Sequence, residues 1–319
     1  MADLTGQGGN NSAVKPSGGR SGKQLTSQIE FRGTAGGSSS AKDGGKFTPA
    51  GNWSPPACWY EPRSAKDFEA YMEEMYEETV NYPGQHSYAK NAVAQYRKTY
   101  KDGKYKNYNL DKADEGKWWI AVQDPAREND PASWECSNPP AWALNGDAPD
   151  VKNAVTPDVL AQLAYNRIQV PDTKVTLAPA DTTKVNLSTW AWLDKAEFKP
   201  VSVTASLPSI GISATTTATP VSLSLQPGTT DAELLPPAGE CPLMNGSIGT
   251  PFRKGDAEKT PPCGITYLRA TGGAPFELRA TVTWKIHWTG TGVPGGGLPD
   301  GTFGTAQDVI VEEVQAVNR

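Results

Sequence analysis

Phe276-Glu277-Leu278-Arg279-Ala280-Thr281-Val282-Thr283-Trp284-Lys285-Ile286-His287-Trp288 alternates strictly between apolar and polar side chains. A period of two over thirteen residues is the mark of a long antiparallel strand with one face buried and one wet. Shorter stretches repeat it: Val201, Val203 and Ala205, then Ile210 and Ile212, then Val221, Leu223 and Leu225, with Pro208, Pro220 and Pro227-Gly228 as breaks. Val309 and Val311 mark a closing strand, and the slip at Glu312-Glu313 before Val314 predicts a bulge. Leu298-Pro299-Asp300-Gly301-Thr302 reads as a loop. About seven short strands separated by turns every 8 to 12 residues predict a β-sandwich over residues 147–319.

Working towards the amino end, the texture changes. Residues 52–145 hold six of the ten tryptophans and nine of the eleven tyrosines. Ser64-Ala65-Lys66-Asp67 is a capping box that opens a helix, and Phe68, Tyr71, Met72, Met75 and Tyr76 follow it as one apolar stripe until Pro83-Gly84. A second helix runs from Ser87 to Tyr100, with Ala89, Ala92, Val93, Tyr96 and Tyr100 on its buried side and Asp102-Gly103 at its end. Trp118 to Val122 reads as a strand, and Asn145 to Pro149 as a linker. Thr156-Pro157-Asp158 opens a short helix through Leu160 and Leu163. Residues 47–146 are thus expected to form an aromatic-rich α+β domain. Residues 1–46 are Gly/Ser-rich and are expected to be a flexible tail carrying one short strand over 25–32, built on Leu25, Ile29 and Phe31.

Four cysteines fall two in each half, without metal-ligand spacing, and predict the disulfides Cys58–Cys136 and Cys241–Cys263. Such bonds belong to an oxidising compartment. The expected location is therefore the cell surface or the medium, for a chain whose export signal is gone, since Met1-Ala2-Asp3-Leu4-Thr5 is no signal peptide. No apolar run is long enough for a membrane helix, and a net charge of −5 excludes the clustered basic surface of a nucleic-acid binder.

Leu223-Ser224-Leu225-Gln226-Pro227-Gly228, Cys263-Gly264-Ile265-Thr266-Tyr267 and Phe276-Glu277-Leu278-Arg279-Ala280-Thr281-Val282-Thr283 resemble, in this order, the segments of a polycystic-kidney-disease (PKD) domain. The resemblance covers about 130 residues and implies an Ig-like module used as a spacer or adhesion unit. With Pro55-Pro56-Ala57-Cys58-Trp59-Tyr60-Glu61-Pro62 and Asn186-Leu187-Ser188-Thr189-Trp190-Ala191-Trp192-Leu193, the whole chain also resembles exported actinobacterial proteins of unassigned function.

Catalytic signatures are weak. His287 falls on the polar face of a strand, and His86 in a helix–helix turn is the one candidate base. Glu73 with Glu77, and Glu74 with Glu78, read as a solvated acidic face rather than a catalytic pair. Asn107-Tyr108-Asn109-Leu110-Asp111 lacks the glycine and the bidentate glutamate of a calcium loop, so no metal or cofactor is expected. The functional expectation is a non-enzymatic binding or assembly protein. Trp53, Trp59, Tyr60, Tyr105, Tyr108, Trp118 and Trp142 are its candidate binding face for a protein or a cell-envelope glycan. A structural subunit of a secretion machine or surface layer, and an exported cell-wall hydrolase, are the alternatives.

Overall fold

The computed structural model describes residues 13–14, 27–33, 45–193, 198–244 and 246–314. Most of the predicted tail, Leu25 included, lies outside the described residues. Within it, β1 (Ala13–Val14) pairs with β2 (Glu30–Gly33), so the short strand is present towards the end of its predicted range. After β3 (Thr48–Pro49) comes β4 (Cys58–Arg63), in which all six residues are buried.

Ser64 caps α1 (Ala65–Val80): its hydroxyl accepts from the Asp67 amide at 3.0 Å and donates to the Asp67 carboxylate at 2.7 Å. Helix α2 (Ser87–Lys101) returns antiparallel to it, and 3₁₀ turns over Asn107–Lys112 lead to β5 (Gly116–Gln123). With β6 (Ala141–Leu144) these strands make a three-stranded sheet in the order β4-β5-β6. Alternation along β5 sends Trp118 and Ile120 into a small core with Ala65, Phe68, Met72, Tyr100 and Tyr108, while Trp119 enters the large core. Helix α2 is less buried than its sequence predicts. Tyr100 is its one buried residue, Ala89, Val93 and Tyr96 are half-buried, and Ala92 is exposed.

Thr156 caps α3 (Pro157–Tyr165) as predicted, its hydroxyl accepting from Val159 at 3.3 Å. Strands β7 (Thr176–Ala178), β8 (Thr182–Lys184), β9 (Ser188–Trp192), β10 (Val201–Leu207), β11 (Ile212–Gln226), β12 (Ala232–Leu235), β13 (Glu240–Met244), β14 (Ser247–Ile248), β15 (Gly264–Tyr267), β16 (Phe276–Gly290) and β17 (Val293–Glu312) follow. The C-terminal half is mostly antiparallel sheet. A ten-stranded sheet has the path β1-β2-β10-β11-β16-β17-β3, with β13 also on β11, β14 on β13 and β8 on β17. A four-stranded sheet, β12-β15-β9-β7, shares one core with it: Leu177, Ala191, Ile265 and Tyr267 cluster with Leu223, Leu225, Leu278 and Ala280. This arrangement is compatible with a β-sandwich, and α3 covers the part of the large sheet formed by β10, β11 and β16.

Strand β16 carries the register that its sequence predicts. Phe276, Leu278, Ala280, Val282, Trp284, Ile286 and Trp288 are buried, while Glu277, Arg279, Lys285 and His287 are exposed. Each large apolar side chain contributes about 1.5–3 kcal/mol by its burial, so a one-residue slip that put the charges inside is excluded.

Three expectations about strand ends are corrected. Pro220 does not break β11 but sits beside a bulge, where the register to β16 shifts between Pro220 and Ser222, a position that tolerates a missing amide donor. Leu298 to Thr302 is part of β17, not a loop. A second bulge between Trp284 and Ile286 accommodates Pro299, and Phe47 packs so closely on Gly301 that a Cβ there would stand 2.6 Å from the ring. The slip at Glu312-Glu313 marks the end of β17, with no register shift recorded there among the described residues.

Both predicted disulfides are present, Cys58–Cys136 at 2.02 Å and Cys241–Cys263 at 2.05 Å. The second has a role that spacing alone does not reveal: it joins β13 of the large sheet to the residue before β15 of the small one. No helix among the described residues is long and apolar enough to cross a membrane.

Candidate functional site

The seven candidate aromatics do not form an exposed face. Trp59, Tyr60, Tyr108 and Trp118 are buried, and Trp53, Tyr105 and Trp142 are half-buried against the two cores. Trp118 is the hub of the small core, with Phe68 at 4.4 Å, Tyr105 at 4.7 Å, Tyr100 at 5.2 Å and Trp142 at 5.4 Å between ring centroids. Its indole N–H donates to the Tyr108 carbonyl at 2.8 Å. Trp53 packs edge-on against Tyr165 of α3, and the Tyr60 hydroxyl accepts from the Asn138 amide. The polar edges of the four buried aromatics, Trp59, Tyr60, Tyr108 and Trp118, are each met by a hydrogen bond inside the protein, as buried aromatics require.

The Asn107–Asp111 loop serves this core. Asn107, Tyr108 and Asn109 all take left-handed φ values of 49°, 57° and 58°, and Tyr108 is buried under Phe68, its hydroxyl donating to Glu73 at 2.7 Å. Asparagine tolerates this region, whereas for tyrosine it costs about 1 kcal/mol. The burial of the Tyr108 ring offsets that cost.

Glu73 corrects the solvated-face reading of the first helix. It accepts from Arg97 Nε at 2.7 Å, Lys101 Nζ at 2.9 Å and Tyr108 Oη, and so fastens α1 to α2 and to the loop. Burial alone would raise its pKa, but the hydrogen bonds from Arg97, Lys101 and Tyr108 outweigh it and hold the group at about 2. Because the folded value lies below the unfolded one, this stabilisation is complete above about pH 4.5 and is lost as pH falls towards 2. After solvent screening it is worth about 1–2 kcal/mol. An acid titration of hairpin amide protection is expected to show this step in the native chain, and E73Q to abolish it. An unchanged step in E73Q would assign it to another group.

Exposed aromatics occur instead at the hairpin tip. The last residue of α1 packed against the small core is the half-buried Met75, and the five residues of α1 beyond it run about 8 Å. At their end Tyr82 is 61% exposed and Tyr88 75% exposed. His86, the candidate base, is exposed there with its ring 6.1 Å from that of Tyr88. A shallow depression lined by Glu77, Glu78, Asn81, Tyr82, Pro83 and Gln85 lies beside them. Below the tip, the Arg97 guanidinium covers the Tyr76 ring at 4.4 Å and stiffens the seam. The signal for this tip was in the sequence: Tyr82 and Tyr88 fall outside both apolar stripes and flank a Pro-Gly turn.

His287 is exposed on β16, as its place in the alternation predicts. No cluster of three or more His, Cys, Asp or Glu side chains suited to a metal occurs among the described residues. In comparisons with protein-family models, curated proteins and solved structures, nothing matches the chain.

Proposed function

We propose that this chain is a secreted or cell-surface, non-enzymatic binding and assembly protein whose contact element is the tip of the α1–α2 hairpin. The observation that carries this reading is the projection of the hairpin beyond its small core, with Tyr82 and Tyr88 exposed at the end. Large rigid side chains on a convex tip suit insertion into a pocket of a protein partner, whereas a flat aromatic platform, the usual sugar-stacking device, is not what the exposed residues form. Glu73 is engaged by three partners in a structural role, which favours a non-catalytic hairpin. Two disulfides favour an oxidising compartment. The C-terminal sheets then act as a PKD-like, Ig-like spacer or dock, a role that their joining disulfide suits.

The test is retention of cell-envelope protein by the immobilised chain. Y82A/Y88A is expected to keep its stability within about 0.5 kcal/mol, because both side chains are exposed, and to lose at least about tenfold in retention of a discrete partner. Trp134→Ala, which removes another exposed aromatic, is expected to retain it fully. Equal retention by the two variants would remove the tip from the interface.

A further inference from the structure

We propose that the edge of β10, together with Glu61, is a strand-acceptor groove, and that its ligand is the segment Ser27–Gly33 of a second copy of this chain, so that copies assemble by exchanging this strand. In the structure the groove holds the chain's own segment, and the contacts are those of a peptide ligand. Glu30, Phe31, Arg32 and Gly33 pair antiparallel with Ser206, Ala205, Thr204 and Val203. Ahead of them, Ile29 is fully buried in the large core, the Ser27 hydroxyl donates to Glu61 Oε1 at 2.5 Å, and the Gln28 amide donates to Glu61 Oε2 at 2.8 Å. The Arg167 guanidinium lies 5.1 Å from the centre of the Phe31 ring.

The receiving side is built independently of its occupant. Strand β10 pairs along its whole length with β11 on its other edge. Glu61 is fully buried and is fixed in β4 by the Trp59 indole N–H at 2.7 Å and by Arg63 at 3.1 Å. Taking the segment away would leave an open seven-residue edge, a buried carboxylate deprived of two donors, and a hole the size of an isoleucine. Each is unfavourable: an unpaired edge recruits strands, and an unmet buried polar group costs about 1–3 kcal/mol. The groove therefore demands an extended peptide that offers two successive donors followed by an aliphatic side chain and a strand of four. Ser27 to Gly33 meets that demand, and every copy of the chain carries both halves.

Residues 34–44 join the segment to Gly45, so the connection can span at most about 40 Å. That is comparable with the width of the body, roughly 45 Å for a chain of this size, so the groove of a neighbour is within reach. Contacts made in cis and in trans are identical, and the balance between them is set by concentration against the local concentration of the tethered segment. This inference is independent of the hairpin tip.

The experiment mixes two full-length variants under mild oxidation. One carries Arg32→Cys and the other Thr204→Cys, residues that face each other across the β2–β10 pair. In neither variant does a cysteine of the same chain face the introduced one across the β2–β10 pair, so a covalent heterodimer at this position requires exchange. Its yield on non-reducing gels is expected to rise with protein concentration and to exceed by at least about tenfold that of Arg32→Cys mixed with Ser209→Cys, whose cysteine lies in the exposed β10–β11 turn. Adding Ile29→Asp to the Arg32→Cys chain is expected to return the yield to the control level. Heterodimer at the control level throughout would overturn the proposal and leave residues 27–33 as a permanent edge strand of their own chain.

Discussion

Trp118→Ala is expected to open the hairpin and its small core while the large sheet stays folded. Emptying a fully buried tryptophan site costs about 3–5 kcal/mol, and here the Tyr108 carbonyl also loses its donor. The small core has seven buried residues, of which four are aromatic rings that meet at Trp118 or at Phe68 beside it. A loss of that size is a large share of the roughly 5–15 kcal/mol that holds a whole domain. Amide exchange in α1 and α2 should accelerate by about three orders of magnitude, at 1.4 kcal/mol per tenfold, with β11 and β16 unaffected. Uniform acceleration across both regions would show that the cores unfold as one unit, and no acceleration would show that another ring holds the hairpin.

The second large effect is that of the double substitution Cys58→Ala with Cys136→Ala. The bond closes a loop of 78 residues, and in the chain-entropy account a loop of that length is worth about 4.5 kcal/mol. Cys241–Cys263 closes 22 residues and is worth about 3 kcal/mol on the same account. Locally, the first bond holds the run of 3₁₀ turns and prolines after β5 against β4, where the Asn138 amide reaches the Tyr60 hydroxyl at 2.9 Å. Limited proteolysis should cut the double variant between residues 125 and 140 and spare the native chain. The Cys241→Ala with Cys263→Ala variant should resist cleavage there. Protection of residues 125–140 in both variants would show that hydrogen bonding alone secures the segment.

What the sequence made legible follows from distance along the chain. The alternation of β16 and the Ser64 capping box are local signals, and both specify the structure directly. Composition and period also disclosed an α+β chain rich in antiparallel sheet with two disulfides. Periodicity tells which side of a strand a residue takes, however, and not whether that side is covered. Trp118 and Trp119 point opposite ways on β5 and both are buried, because that strand has a core on each side. The proline and the glycine of residues 298–302 look like a loop until Phe47, more than 250 residues away, is seen lying over Gly301. Glu73 finds its partners 24, 28 and 35 positions away, and Glu61 reaches back 34 to Ser27, separations at which no pattern in a single sequence speaks.

The covalent bond between the two C-terminal sheets has a mechanical consequence. A tensile load carried along the chain would reach Cys241 and pass straight to Cys263, so the residues between them would bear no tension and yield no length, withholding about 80 Å of extension. Sliding one sheet over the other is blocked at the same point. Two sheets bonded this way transmit pull between them as a stiff link rather than as a spring.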